Sequence, residues 1–506
     1  MLPRESDRRP LALALGVGLL VAALYLATNR YPAHGAGLYA HTAAEISSHG
    51  YALPETIPHY TAEGIPFSYP PLAFYVFALL LDAGVDPVTV ARLLPPVLTV
   101  AYLVPTYFIG RDLLGGPRRG AAAAVLVALN PQILEWHVSS GGIVRATAFL
   151  LATSCLYAGF RLFRDGDRRW LPPAVALFGL TVLTHPTYTL FVVLSYVVAW
   201  AVLDRTPRGL LWGLAVGLGG TAVAAPWWTQ VVSVHGLDVF TGAAGTHGGI
   251  FPGILEGLSV WAFAIVVVAV VAFAKGHRLL PVWLLAVEFA IEQSRFSYFV
   301  GSFVLVLAAT ELLAPYLRET GRLRGEGLRA SRLAGVPVAV LLVSGAVLGY
   351  GGLGAEMTGL VGPDETTPEF IDDHDVEAMA WVETETDADA TFVVLGDAAE
   401  WFPSMTDRTM LLGPWGVEWR GSAAFQAHLY GYENASACPT AECVEGWLDD
   451  VDAEPDYLYA PRGPFTIRGE PAVNDALVRD LRESDRYERV YRNEGVEVFR
   501  VRTESN

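Results

Sequence analysis

The stretch Asn29–Pro71, NRYPAHGAGLYAHTAAEISSHGYALPETIPHYTAEGIPFSYPP, decides how this chain is read. It follows directly on an apolar run, Leu11 to Ala27, and hands over to another at Leu72. Loops beyond about 12 to 15 residues inside a compact architecture are usually functional or disordered. Four histidines interleaved with tyrosines and prolines are not the composition of a disordered segment. The stretch is therefore read as a large outer loop between membrane helices.

The rest of the composition agrees with that reading. Over 506 residues, 53% are apolar and the mean hydropathy is +0.37, more than a soluble domain needs. Runs near the roughly 20 residues that cross a bilayer are Leu11 to Ala27, Val90 to Ile109, Ala121 to Glu135, Thr147 to Phe163, Leu171 to Leu183 and Tyr188 to Val202. Further runs are Leu210 to Ala225, Ile254 to Phe273, Leu279 to Ile291, Phe296 to Pro315 and Ala334 to Tyr350. The expectation is a polytopic α-helical membrane protein of about eleven spans. Leu72 to Leu81, apolar but short, is read as interfacial or re-entrant.

Cytoplasmic loops carry excess Lys and Arg. Here the clusters Arg4/Arg8/Arg9, Arg111/Arg118/Arg119, Arg161/Arg164/Arg168/Arg169, Arg205/Arg208, Lys275/Arg278 and Arg318 to Arg332 recur after every second span. This parity puts the N-terminus in the cytoplasm, the 29–71 loop outside, and everything after Tyr350 outside a multi-pass protein of the cell membrane. The membrane domain is thus 1–350 and the tail domain 351–506.

Charge separates the two parts. From Gly351 onward 33 acidic residues face 11 arginines and no lysine, about −22, which leaves about +4 for the first 350 residues and the total of −18. Such a carboxylate surface almost empty of lysine resembles proteins of salt-loving archaea, where it stays solvated in concentrated salt. It disfavours nucleic acid as a partner, because phosphate recognition needs a basic surface. Within the tail, strand-like runs (Thr391 to Leu395, Tyr457 to Tyr459, Val496 to Val501) alternate with helical ones (Asp375 to Glu383, Val473 to Glu483), which predicts a small soluble α/β or α+β domain. Cys438 and Cys443 are a plausible disulfide outside the cell, and Asn434-Ala-Ser436 is a sequon on the same side.

Several short motifs follow one another in order. The outer loop closes on Tyr69-Pro-Pro-Leu72; Arg92-Leu-Leu-Pro95 opens the next helix; Gly110-Arg-Asp-Leu-Leu-Gly-Gly116 makes a turn; Asn130-Pro131 opens another helix; and an outer tail ends the chain. In this layout the chain resembles the GT-C superfamily of membrane glycosyltransferases, which contains protein mannosyltransferases, aminoarabinose transferases and the catalytic subunit of oligosaccharyltransferase. The resemblance implies transfer of a sugar from a polyprenyl (dolichyl) phosphate carrier at the outer face of the membrane. Its acceptor would be a glycan, lipid or glycoprotein.

The same resemblance points to site residues. The family carries an acidic residue near the start of the first outer loop, but here no Asp stands there and Glu45 is the nearest carboxylate. Its two readings are a base for the acceptor hydroxyl or a residue on the solvated face of a short helix. Glu135-Trp-His137 corresponds to an acidic-x-His pair that holds a divalent metal, Mn²⁺ or Mg²⁺, provided the backbone is extended; an interfacial belt is the alternative. Arg145 and Arg295 suit the oxygens of a lipid phosphate, Arg295 having internal pairing with Glu288 or Glu292 as its other reading. The Trp-Trp-Asp-Tyr-Gly motif of oligosaccharyltransferase is absent, so single-sugar transfer is favoured. Trp415 and Trp419 are either a sugar-stacking pair or core. The competing class is a non-catalytic GT-C-like scaffold or glycan-binding membrane protein that has lost its loop aspartate.

Overall fold

The computed structural model describes residues 4–244, 260–291, 293–313 and 367–502. The expected span Ala334 to Tyr350, parts of Ile254 to Phe273 and Phe296 to Pro315, and the 350/351 boundary lie outside the described residues.

Among the described residues, four helices are long and apolar enough to cross a bilayer: Glu5–Thr28, the continuous pair Pro87–Leu114, Gly142–Asp165 and Pro186–Leu203. The helices Pro207–Val223 and Ala225–His235 meet at 61° and together form a broken span or a re-entrant loop. Leu72–Asp82 and Leu279–Ala290 are apolar but shorter than a span. The expected span Ala121 to Glu135 is instead two helices, Pro117–Ala128 and Pro131–Val138. Pro131 has no N–H with which to continue the first helix, and the Asn130 side chain accepts from the Ile133 N–H at 3.2 Å to start the second.

Arg111, Arg119 and Arg161, from two of the arginine clusters, are drawn into ion pairs at one end of the bundle. Buried Asp7 accepts from Tyr107 at 2.8 Å and from Arg111 at 2.9 Å; Asp112 meets Arg111 at 2.7 Å and Arg161 at 3.6 Å; Glu311 meets Arg119 at 2.9 Å and His277 at 2.8 Å. The first helix runs from this end to Asn29, where Arg92 donates to the carbonyls of Asn29 (3.0 Å) and Leu26 (2.7 Å). Those carbonyls lack partners within the helix, so Arg92 closes its far end.

The tail holds a five-stranded mixed sheet in the order Thr409–Met410, Thr391–Val394, Tyr457–Pro461, Val496–Val501, Tyr487–Arg492. Its first three strands are parallel and the last two join antiparallel. A separate hairpin, Pro464–Ile467 with Glu470–Val473, leaves the sheet. Helices Asp373–Glu385, Ser422–Ala437, Ala441–Asp449 and Asp475–Glu483 complete the domain. Cys438 and Cys443 form a disulfide, their Cα atoms 5.6 Å apart. The sequon is part of the helix Ser422–Ala437, and the buried Ser436 hydroxyl accepts from the Gly396 N–H at 3.0 Å.

The first loop shares its core with the tail. Ala36, Ala40, Tyr60, Phe67, Phe74 and Phe77 belong to the same buried cluster as Phe392, Trp401, Phe402 and Val417, whereas the long membrane helices build a second cluster around Phe149, Tyr188, Trp283 and Phe299. Backbone bonds sew the seam: His34 N to Pro368 O at 2.8 Å, Met410 N to His59 O at 2.9 Å, and an antiparallel bridge of Ala33 with Glu369. Burying the Tyr60 and Trp401 side chains there is worth about 2 to 3 kcal/mol each. Loop and tail therefore stand on one side of the bundle, away from the arginine clusters.

Candidate active site

Three walls enclose a cavity of about 390 Å³, within the range of small-molecule sites. The loop contributes His34, Leu38, Tyr39, Thr42 and Tyr69; the helices Pro131–Val138 and Gly142–Asp165 contribute Glu135, Trp136 and Arg145; the tail contributes Glu400, Trp415, Glu418, Trp419 and Arg468. Arg145 lies 5.0 Å over the Trp136 ring, His34 stacks on the same Trp136 ring at 4.7 Å, and Tyr69 meets Trp419 edge-on at 5.9 Å. Aromatic faces and a guanidinium in one hollow suit a sugar bearing a phosphate.

The tail wall is fixed from behind by Asp397. This buried carboxylate accepts from Tyr432 at 2.7 Å and from the backbone N–H groups of Arg468 at 2.8 Å and Gly469 at 2.7 Å. It thereby holds the left-handed Arg468-Gly469 turn against the cavity.

Burial sets the protonation of the lining. It pushes the Glu400 carboxyl up to about 8 against the Gly37 and Leu38 N–H groups that oppose the shift, and the Glu418 carboxyl up to about 7 against the N–H groups of its own turn and Arg468. Burial, with Arg145 and Arg468 nearby, lowers the His34 imidazole to about 4, so this ring is neutral at pH 7. His34 sits at φ 55° and its Nε2 is buried without a hydrogen-bond partner among the described residues.

The residues singled out from sequence separate into three places. Glu135 and Arg145 line the cavity together and are electrostatic neighbours. His137 and Arg295 lie behind the lining: His137 Nε2 meets the Tyr188 hydroxyl at 2.5 Å, and the buried Arg295 guanidinium lies 5.5 Å from the Tyr188 ring. Tyr69, His185 and Tyr188 link this second cluster to the cavity by ring contacts of 6.0 and 5.0 Å. Glu45 is on the helix Gly37–Ser48, one turn beyond Thr42 and off the cavity lining, with its carboxylate 3.7 Å from His49.

The metal pair required an extended backbone at Glu135-Trp-His137. Residues 131–138 are helical, so side chains two apart leave the helix about 200° apart. Glu135 faces the cavity and His137 the interior, and the two do not fit a shared ion. Among the described residues no group of three or more His, Cys, Asp or Glu is arranged to hold a metal.

His34, Glu400, Glu418 and Arg468 were not among the residues singled out. The glycines of His34-Gly-Ala-Gly37 mark the place where the tail closes on the loop, and Glu418 stands between Trp415 and Trp419. Both tryptophans line the cavity.

Residues 68–229 match the family described as dolichyl-phosphate-mannose-protein mannosyltransferase, a span that holds the membrane wall of the cavity. No curated protein matches the chain. The crystal structure of ArnT from Cupriavidus metallidurans bound to undecaprenyl phosphate superposes with a TM-score of 0.52 at 14% identity, over 96% of this chain and 97% of that one. Its apo state gives 0.51 at 15% identity, over the same shares of the two chains. The mycobacterial arabinofuranosyltransferase AftD gives 0.50 at 16% identity over 98% of this chain, which spans 42% of that much longer protein. The chain is a multi-pass helical membrane protein that shares its fold with ArnT and AftD and matches the mannosyltransferase family over residues 68–229.

Proposed function

We propose that this chain is a membrane glycosyltransferase that takes a single sugar from a polyprenyl phosphate carrier, dolichyl phosphate in the first instance, and transfers it to a hydroxyl of an acceptor outside the cell. The observation that carries the reading is the three-walled cavity, which combines Arg145 on the membrane wall with Tyr69 and Trp419 above it. A guanidinium at the end of a membrane helix pairs with a lipid phosphate at headgroup depth, and the planar fork holds two of its oxygens at once. The rings offer flat apolar faces to the sugar. Arg295 and His137 form a reserve of positive and hydrogen-bonding groups behind this contact. ArnT was solved with undecaprenyl phosphate bound, which favours the same class of carrier here. No step is assigned to a metal, because Glu135 and His137 diverge.

The first loop contributes no carboxylate to the cavity, and that favours a second reading as a glycan-binding relative without catalysis. Transfer of radiolabelled sugar from a panel of synthetic polyprenyl phosphate sugars separates the two, using the full chain in vesicles at high salt. Transfer by the wild type that is lost in Arg145→Ala is the expected result. Silence of the wild type with every donor in the panel favours the binding protein.

A further inference from the structure

A hydroxyl acceptor must lose its proton, and the loop wall from His34 to Phe74 has no carboxylate to take it. Carboxylates reach the cavity from elsewhere: Glu135 on the membrane wall, and Glu400, Glu418 and Glu470 on the tail. Three of these have other circumstances. Glu135 sits in the fields of Arg145 and Arg295, Glu400 is bound beneath the loop by the Gly37 N–H at 3.1 Å, and Glu470 is exposed to water. Glu418 lines the cavity on the turn that joins Trp415 to Trp419, only partly exposed, and the N–H groups that meet it belong to its own turn, Gly416 and Glu418.

We infer that Glu418 is the general base of the transfer, supplied by the tail domain in place of the loop carboxylate that this chain lacks. The inference rests on the glycosyltransferase reading above. In the step, the acceptor O–H gives its proton to the Glu418 carboxylate while its oxygen bonds to the anomeric carbon of the sugar. The bond from that carbon to the carrier phosphate oxygen breaks, and polyprenyl phosphate leaves with the electron pair beside Arg145. The division of labour matches the walls: the membrane wall holds the donor and leaving group, and the tail holds the acceptor.

Electrostatics support the assignment. A base works best when its proton affinity lies near the working pH, and burial pushes the Glu418 carboxyl up to about 7. The charged and titratable groups that share its cavity are Arg468 and Glu470 on the hairpin, Tyr39, Tyr69 and His34 on the loop, Arg145 and Glu135 on the membrane wall, and Glu400 beneath. Arg468 opposes the rise, while Tyr39 and Tyr69 both feel the Glu418 charge.

The test compares wild type, Glu418→Gln, Glu418→Asp and Glu45→Gln in vesicles, with kcat and acceptor KM measured from pH 5 to 9. Glu418→Gln is expected to lower kcat about 10²- to 10³-fold with KM changed less than about threefold, and to erase the acidic limb of the rate profile. Glu418→Asp keeps a limb at reduced kcat. The assignment is overturned if Glu418→Gln keeps both its kcat and the limb, or if Glu45→Gln loses the limb while Glu418→Gln retains it. Should the glutamine variant fail to fold, the aspartate variant decides, since an unchanged kcat and limb there also overturns it. A wild type silent with every donor removes the glycosyltransferase reading itself. An active wild type with an unaffected Glu418→Gln removes Glu418 alone.

Discussion

Gly37 packs against Glu400 with no room for a side chain: a Cβ at Gly37 would overlap the Glu400 carbonyl oxygen and the Trp401 Cα, while its N–H donates to the Glu400 carboxyl at 3.1 Å. The close approach is what seals the first loop to the tail and closes the cavity between them.

Gly37→Ala should therefore destabilise the loop–tail seam by about 2 kcal/mol, since the clashing atoms are backbone and overpacking of this kind typically costs 1 to 3 kcal/mol. Gly35→Ala meets the Glu400 side chain instead of backbone, and a side chain yields more readily than a backbone. The alanine at 37 is expected to melt below the alanine at 35 in thermal unfolding of the purified protein. Equal melting of both variants and the wild type would show that the seam is loose.

The Glu400 carboxyl, about 8 when folded against an ordinary 4.5, binds a proton that the unfolded chain has released. The stability it contributes is fully present below pH 4.5 and is lost as pH rises towards 8, at up to about 1.4 kcal/mol per pH unit. Glu400→Gln keeps the acceptor for the Gly37 N–H and removes the charge. It should flatten this part of the decline between pH 5 and 8 and melt above the wild type at pH 8. Glu418 and Asp375, both raised to about 7 by burial, leave a residual decline in the variant.

Arg145→Ala is expected to raise KM for the polyprenyl phosphate sugar about 10- to 100-fold, the scale of one charge-assisted bidentate contact worth about 1.5 to 3 kcal/mol. Arg145→Lys should restore part of this, because lysine supplies the charge without the fork. Saturation kinetics in vesicles of fixed donor content read the effect; a lysine variant no better than alanine would point to a packing role against Trp136.

Asp397 holds three donors at once, so Asp397→Ala leaves the Arg468 and Gly469 N–H groups and the Tyr432 hydroxyl without it. Unmet buried donors cost about 1 to 3 kcal/mol each. The variant should lose several kcal/mol of tail stability in denaturant titration. The milder Asp397→Asn, which keeps one acceptor oxygen, should fall between it and the wild type.

Reduction of the Cys438–Cys443 disulfide, or replacement of both cysteines by serine, should cost about 2 kcal/mol, the loop-closure entropy of a ring this small. Chemical denaturation with and without reductant measures it.

Much of the architecture was legible because hydropathy and charge are additive along a chain. Apolar runs, the alternating arginine clusters and the carboxylate-rich tail each announce a solvent, lipid or water, before any contact is made. Asn130-Pro131 also carried its message locally, but the run Ala121 to Glu135 was read through it as one span, because hydropathy averages over the break that a missing N–H imposes. Arg145 and Glu135 were legible as charges at a membrane boundary, where each is costly unless used.

What the sequence by itself determined is the membrane bundle, the long first loop and the acidic tail, since these depend on which solvent each segment can tolerate. Only the tertiary structure decided which residues meet. Glu135 and His137 part because residues 131–138 are helical, and Glu45 falls a turn beyond the cavity. Glu400, Glu418 and Arg468 reach a loop more than 300 residues earlier in the chain because Gly37 lets the two backbones touch and Gly35 leaves room for the Glu400 side chain. Spacing along a chain says nothing of such contacts; they are fixed by the packing of two surfaces that share one core.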